Sequence, residues 1–215
     1  MPQLTDAYKY QRWLAALKAN GLDVHGVEEI YTKFRHDDDV LFSLVLLDAT
    51  TPEGDKIPPI CFIKGDIVCV MVVLIDEATG EKYNLLVRQR RICNGDYIYE
   101  QVAGMVDGSD KPHDVAVREV AEETGIEVDP AAIIPLNDEV IYPSTGTSDE
   151  AMYFYYCELK MSREQIFSYH EKQTGVISEH ERIITHVATI PEAMKLIKNV
   201  NGILNIHMYQ AAIGE

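Results

Sequence analysis

Residues 67–75, IVCVMVVLI, constrain the fold of this chain more than any other stretch. Nine apolar residues fall far short of the roughly 20 that a membrane-spanning helix needs. The run is rich in β-branched Val and Ile, which suit a strand better than a helix. A strand without a polar side must be covered on both faces. The run therefore predicts an inner strand of a sheet flanked by helices.

The neighbouring segments supply the covers. Over 6–20, Tyr10, Trp13, Leu14 and Leu17 recur on one helical face, with Gly21 placed to end the helix. Strands are expected at 40–47 and 60–63, separated by TTPEGDKIPP, and a hairpin in which 67–75 and 83–89 flank DEATGEK. A short strand at 97–102 precedes a helix at 112–124, where Pro112 suits the first helical position and Gly125 the stop. Later come strands at 140–142, 152–159 and 183–188, and helices at 163–169, after Pro191, and at 204–213. Strands dominate the first half and helices are interspersed later, so the order fits an α+β fold with a mixed sheet covered on both faces. Residues 1–60 read as an N-terminal extension and 61–215 as the main domain. The aromatic face of the first helix is expected to be free to pack on a second subunit.

A length of 215 residues with 47% hydrophobic content can bury a substantial core. Asp and Glu number 35 against 19 Lys and Arg, a formal net charge of −16. That balance opposes binding to nucleic acid or to an anionic membrane and favours cations. The first residues lack the charged-then-apolar order of a signal peptide, so a cytoplasmic location is expected. Cys61, Cys69, Cys93 and Cys157 show no paired metal-ligand spacing, and three lie in apolar stretches, as packed, reduced thiols would. The seven histidines form no two-histidine ligand spacing; His180 reads as a loop residue and the run 36–39, HDDD, as a solvated turn.

The helix at 112–124 carries the chemistry. Ala116, Val117, Val120 and Ala121 form a narrow apolar stripe, and Glu119, Glu122 and Glu123 are expected on the opposite side. Like charges three and four residues apart repel. A hard divalent cation, Mg²⁺ or Mn²⁺, would relieve that repulsion because it prefers carboxylate and carbonyl oxygens. Arg118 can pair with a neighbouring carboxylate and orient it.

The residues from Gly104 to Ile126 read G-x5-D-x7-R-E-V-x-E-E-T-G-I, which closely resembles the Nudix box, G-x5-E-x7-R-E-U-x-E-E-x-G-U with U aliphatic. Asp110 stands where the box has Glu, one methylene shorter; the resemblance implies weakened rather than abolished function there. It also implies the Nudix α/β/α sandwich. Glu119 and Glu123 would be principal metal ligands, with Glu122 a further ligand or catalytic neighbour beside Arg118. YEQVAG resembles the E-x-P-A-G segment of the ADP-sugar pyrophosphatase branch, with Val102 replacing the proline. By that likeness the carbonyl of Ala103 helps bind metal, and Glu100 and Gly104 contact substrate. LLVRQRR is similar to that branch's V-x-Q-x-R and makes Arg91 a candidate for the diphosphate, the alternative being that Arg88, Arg90 and Arg91 are surface charges around a strand. YPSTGTSDE and SEHERI resemble its later loops, which implicates Glu150, Glu179 as general base and Glu181 as a further metal ligand.

The resemblance implies Mg²⁺- or Mn²⁺-dependent hydrolysis of a nucleoside diphosphate sugar, of the ADP-ribose, ADP-glucose or UDP-glucose type, to a nucleoside monophosphate and a sugar phosphate. It also implies a homodimer. The alternatives are another nucleoside diphosphate derivative as substrate, such as a dinucleoside polyphosphate or a coenzyme, or a non-catalytic ADP-ribose-type sensor.

Overall fold

The computed structural model describes residues 3–35, 40–108, 111–175 and 182–214. Its contacts divide the chain into two units. One comprises Met1–Asp66, Val106–Asp110 and Ile141–Met152; the other comprises Ile67–Met105, Lys111–Val140 and Tyr153–Glu215. No helix among the described residues is long and apolar enough to cross a membrane.

In the first unit a 3-10 turn, Leu4–Asp6, leads into α1 (Tyr8–Ala19). β1 (Asp23–Phe34), β2 (Val40–Thr50) and β3 (Ile60–Ile63) follow, forming an antiparallel sheet in the order β1-β2-β3. Along β2, side chains alternate between faces. Val45, Leu47 and Ala49 point inward and pack with Ile63 against Tyr10 and Trp13 of α1. The aromatic face of α1 is therefore not free for a second subunit, contrary to the expectation above: Tyr10 and Trp13 are buried because the sheet of their own unit needs a cover. β1 is the unanticipated strand. It is an edge strand exposed along most of its length, so it carries charged residues on both faces and lacks two-residue periodicity; pairing with β2, interrupted by bulges, holds it.

The loop 141–152 is tied to β3 by the Phe62 amide donating to the Thr147 carbonyl at 2.7 Å and the Ser148 hydroxyl donating to the Phe62 carbonyl at 2.9 Å. Asp149 accepts the amides of Lys64 and Gly65 at 2.7 and 3.2 Å. Burial raises its pKa even so.

The second unit contains β4 (Ile67–Asp76), β5 (Lys82–Arg90), β6 (Tyr97–Glu100), β7 (Val102–Met105), α2 (Pro112–Thr124), β8 (Ile134–Pro135), β9 (Met152–Met161) and α3 (Arg163–Ser168). β10 (Gln173–Thr174), β11 (Ile183–Thr189), α4 (Ile190–Leu196) and α5 (Val200–Ile213) complete it. The sheet runs β10-β11-β5-β4-β9-β8, with β6 on β5 and β7 on β4. β4 and β5 form the expected antiparallel hairpin. At the other side of β4 the carboxyl-terminal ends of β4 and β9 meet, the Glu77 amide donating to the Met161 carbonyl at 3.1 Å; these strands run parallel and the sheet is mixed.

β4 is buried at every position, as an inner strand covered on both faces must be. Met71, Val73 and Ile75 pack with Leu86 and Ala188 against Ala193 and Ile197 of α4 and its following turn, and Ile206 and Tyr209 of α5. The alternate residues face α2, whose Val115, Ala116 and Val120 are buried. The result is an α/β/α sandwich.

The single strand expected at 97–102 is broken at Gln101. Its amide exchanges hydrogen bonds with that of Asn84, at 2.8 and 3.0 Å, inside the sheet. Both side chains are fully buried, so each needs the other. The exchange lets the chain leave β5 as β6 and join β4 as β7.

Candidate metal and diphosphate site

The site is assembled where β7 meets α2. Pro112 occupies the first turn of α2, and Gly125 ends it in the left-handed region (φ 72°), its amide donating to the Ala121 carbonyl at 2.8 Å. A residue with a Cβ would be strained at that φ. The buried face comprises Val115, Ala116, Val120, Glu123 and Thr124. This face is rotated from the expected stripe of Ala116, Val117, Val120 and Ala121, which places two of the glutamates on the packed side rather than opposite it. At about 100° per residue, Glu123 follows Ala116 and Val120 round to the sheet. Glu123 is only 3% exposed, and the Glu119 side chain is 15% exposed at the edge of the contact. Glu122 points outward, 43% exposed.

Gly104 explains how Glu119 can sit there. A Cβ on Gly104 would fall on the Glu119 carboxylate, so only glycine lets that carboxylate lie against the β7 backbone. Beside it, the Ala103 amide donates to Glu123 Oε2 at 3.1 Å. Within a strand the N–H and C=O of one residue point to the same side. The Ala103 carbonyl therefore points to the side that holds Glu123. The Thr174 hydroxyl, from β10, donates to the Glu123 carbonyl at 2.6 Å and anchors the end of α2 to the sheet edge.

Arg118 lies near both of its neighbours, with Nη2 3.6 Å from Glu119 Oε1 and Nε 4.0 Å from Glu122 Oε2. At this exposure such pairs add little stability, but they bias rotamers. Arg91 and Glu100, separate substrate contacts by resemblance, are bonded to each other: Arg91 Nε donates to Glu100 Oε2 at 2.5 Å. The other oxygen of Glu100 accepts from Asn199 Nδ2 at 2.7 Å. Asn199 also caps α5 through the Gly202 amide, a role no sequence motif advertised. Burial, with Glu100 and Glu123 adding to it, pushes the buried Cys69 thiol up to about 12, so Cys69 packs rather than reacts.

Two carboxylates and a peptide carbonyl, held by backbone rather than by flexible loops, form a donor set that suits a hard dication. Glu150 belongs to the first unit, where it pairs with Lys64 Nζ at 3.1 Å. Asp110, Glu179, His180 and Glu181 lie outside the described residues, as does the run 36–39. The structure also joins what spacing could not: the rings of His170 and His186 lie 4.5 Å apart between centroids, beside Glu171.

The sequence profile described as NUDIX domain matches residues 66–188, more than half of the chain. Nudix hydrolase 14, chloroplastic, of Arabidopsis thaliana is 32% identical over 201 residues, which cover 89% of this chain and 61% of that protein. This chain thus spans less than two thirds of that relative. A crystal structure described as an ADP compounds hydrolase is 15% identical and shares the fold, with a TM-score of 0.57 over 90% of this chain and 95% of that one. With the profile, the Arabidopsis relative and the β7–α2 arrangement in agreement, this chain belongs to the Nudix family.

Proposed function

We propose that the protein hydrolyses the diphosphate linkage of a nucleoside diphosphate sugar, releasing a nucleoside monophosphate and a sugar phosphate. The observation that carries this reading is the placement of Glu119 and Glu123 against Ala103 and Gly104, where the glycine leaves room for a carboxylate. The substrate class is supported by the likeness of YEQVAG and LLVRQRR to the ADP-sugar pyrophosphatase branch, and by the description of the structural neighbour as an ADP compounds hydrolase.

Glu119, Glu123 and the Ala103 carbonyl would hold Mg²⁺ or Mn²⁺, with Glu122 alongside and Glu181 as a further ligand. When bound, the cation supplies neutralisation of the diphosphate charge and a more acidic water. Arg118 keeps the glutamates oriented. Arg91 presents its guanidinium to the diphosphate while Glu100, braced by Asn199, fixes its direction. Glu179 takes the proton of the attacking water, whose oxygen ends on one phosphorus as the bridging P–O bond breaks. A panel of ADP-ribose, ADP-glucose and UDP-glucose with Mg²⁺, resolved chromatographically, tests this. A nucleoside monophosphate and a sugar phosphate in equal amounts are expected; cleavage of none of the panel refutes the substrate class.

The protein is further proposed to be a homodimer, joined through the outer face of the β1-β2-β3 sheet. Register puts Tyr31, Leu44 and Phe62 side by side there, as it does Leu46 and Ile60, and the Tyr31, Phe42 and Phe62 rings form a row with centroids 6.5 and 5.2 Å apart. Tyr31 and Ile60 are 57% and 50% exposed, apolar surface that a second copy would cover. Light scattering of Ile60→Glu is expected to show monomer where the wild type shows dimer. A monomeric wild type would end this proposal.

A further inference from the structure

The cluster of His170, Glu171 and His186 joins the turn after α3 to β11 in the second unit, and none of the three is among the residues that carry the proposed function. We propose that it is a second metal site, which takes a borderline transition dication such as Zn²⁺ rather than Mg²⁺.

The three residues come from two segments: His170 and Glu171 from the turn after α3, His186 from the middle of β11 opposite Leu86. One ligand atom from each lies within 4.8 Å of the others. His186 Nδ1 and Glu171 Oε1 are 2.9 Å apart. Two ligands of one tetrahedral Zn²⁺, each about 2.0–2.1 Å from it, stand roughly 3.3 Å apart. Replacing the shared proton by the metal thus moves these atoms by only a few tenths of an ångström. The Val187 amide donates to His170 Nδ1 at 3.3 Å, which fixes the orientation of the ring over β11. The ring of Tyr99 stands edge-on to His186, 5.0 Å between centroids, and limits its rotation.

The backbone beneath is fixed. The Glu171 amide donates to the Thr185 carbonyl and the Thr185 amide to the Lys172 carbonyl, both at 2.9 Å, while the Thr185 hydroxyl donates to the Tyr169 carbonyl at 2.5 Å. Glu171 itself has φ 58°, the one non-glycine residue with positive φ among those described. Left-handed backbone at a glutamate is held in place by its surroundings and concentrates at working sites. Arg88 takes Glu171 Oε2 at 2.8 Å and leaves Oε1 to the cluster. Its charge moderates affinity for a second cation but orients the carboxylate, as partners behind metal ligands do.

Two imidazoles distinguish this cluster from the all-oxygen set at β7 and α2. Imidazole favours Zn²⁺, Co²⁺ and Ni²⁺, whereas Mg²⁺ prefers oxygen. The test is a titration of the full-length protein with Co²⁺ and with Zn²⁺ in saturating Mg²⁺, which keeps the acidic donors occupied. One equivalent of Co²⁺ is expected to give visible d–d bands of a low-coordinate nitrogen-bearing site, bleached by one equivalent of Zn²⁺. His170→Ala, at an exposed position, and His186→Gln are each expected to weaken Zn²⁺ at least about tenfold. Glu123→Gln should leave Zn²⁺ affinity unchanged, which separates this site from the proposed catalytic one. Absence of the bands, or equal Zn²⁺ affinity in wild type and in His170→Ala, overturns the proposal.

Discussion

Glu119 and Glu123 stand one helical turn apart on α2, whereas His170 and His186 are brought together by the turn after α3 folding back on β11. Helix geometry alone aligns the first pair, and backbone hydrogen bonds between distant segments align the second. One group is therefore visible in the sequence as a fixed spacing and the other is not. The same difference separates their chemistries, since the glutamates lie against the β7 backbone and the histidine rings lie against each other.

The largest effects are expected at the glutamates themselves. Burial ranks them, so Glu119→Gln should lower turnover by about 10³-fold and Glu122→Gln by only about tenfold, in line with losing a ligand against losing a neighbour of one. Steady-state kinetics with saturating Mg²⁺ would show it, and equal losses would mean that exposure does not track role. Gly104→Ala should follow. Its Cβ displaces the Glu119 carboxylate, and a loss of about 10- to 100-fold in kcat is expected with the protein still folded. Full activity in that variant would mean that Glu119 does not need the glycine.

Much of this pair was legible. The span of α2, its Pro112 start and its Gly125 stop match the spacing, and the apolar run 67–75 is the doubly covered strand it promised. The rotation of the helix was not legible, because Val117 and Ala121 are as apolar as the residues that pack and only the sheet decides between them. β1 was hidden by its edge position, and the break between β6 and β7 by a pairing of Asn84 with Gln101 across 17 residues. The first helix shows the same limit: Tyr10 and Trp13 announced a face to be covered but not what covers it.

Metal addition tests the electrostatic side of the comparison. If a cation joins Glu119 and Glu123 as proposed, Mg²⁺ at a hundred times its Kd should add about 2.7 kcal/mol. For a chain of this size that is roughly 5–10 °C in Tm. Calorimetry should show this gain in the wild type and its loss in Glu119→Gln; a gain that survives the substitution would place the cation elsewhere.

The smallest effect is expected at Asp149, a buried carboxylate of the first unit that serves the backbone instead of a ligand. Burial raises its pKa above the ordinary value of 3.8, so the folded state binds the proton more tightly than the unfolded state. Its contribution to stability is therefore full below the unfolded pKa and falls as pH rises through the folded one. Asp149→Asn keeps an acceptor for the Lys64 and Gly65 amides and removes the charge. Thermal melts across the acid range should show a flatter pH dependence in the variant, and an unchanged slope would contradict the assignment.

Glu123, buried against Ala103, is proposed to complete a metal cradle on which turnover depends. Glu123→Gln, assayed alongside the wild type for Mg²⁺-dependent cleavage of the best nucleotide sugar and for Mn²⁺ binding by electron paramagnetic resonance, tests it most directly. The structure predicts a folded variant with turnover reduced by about 10³-fold or more and weakened Mn²⁺ binding. Wild-type turnover in Glu123→Gln would contradict it.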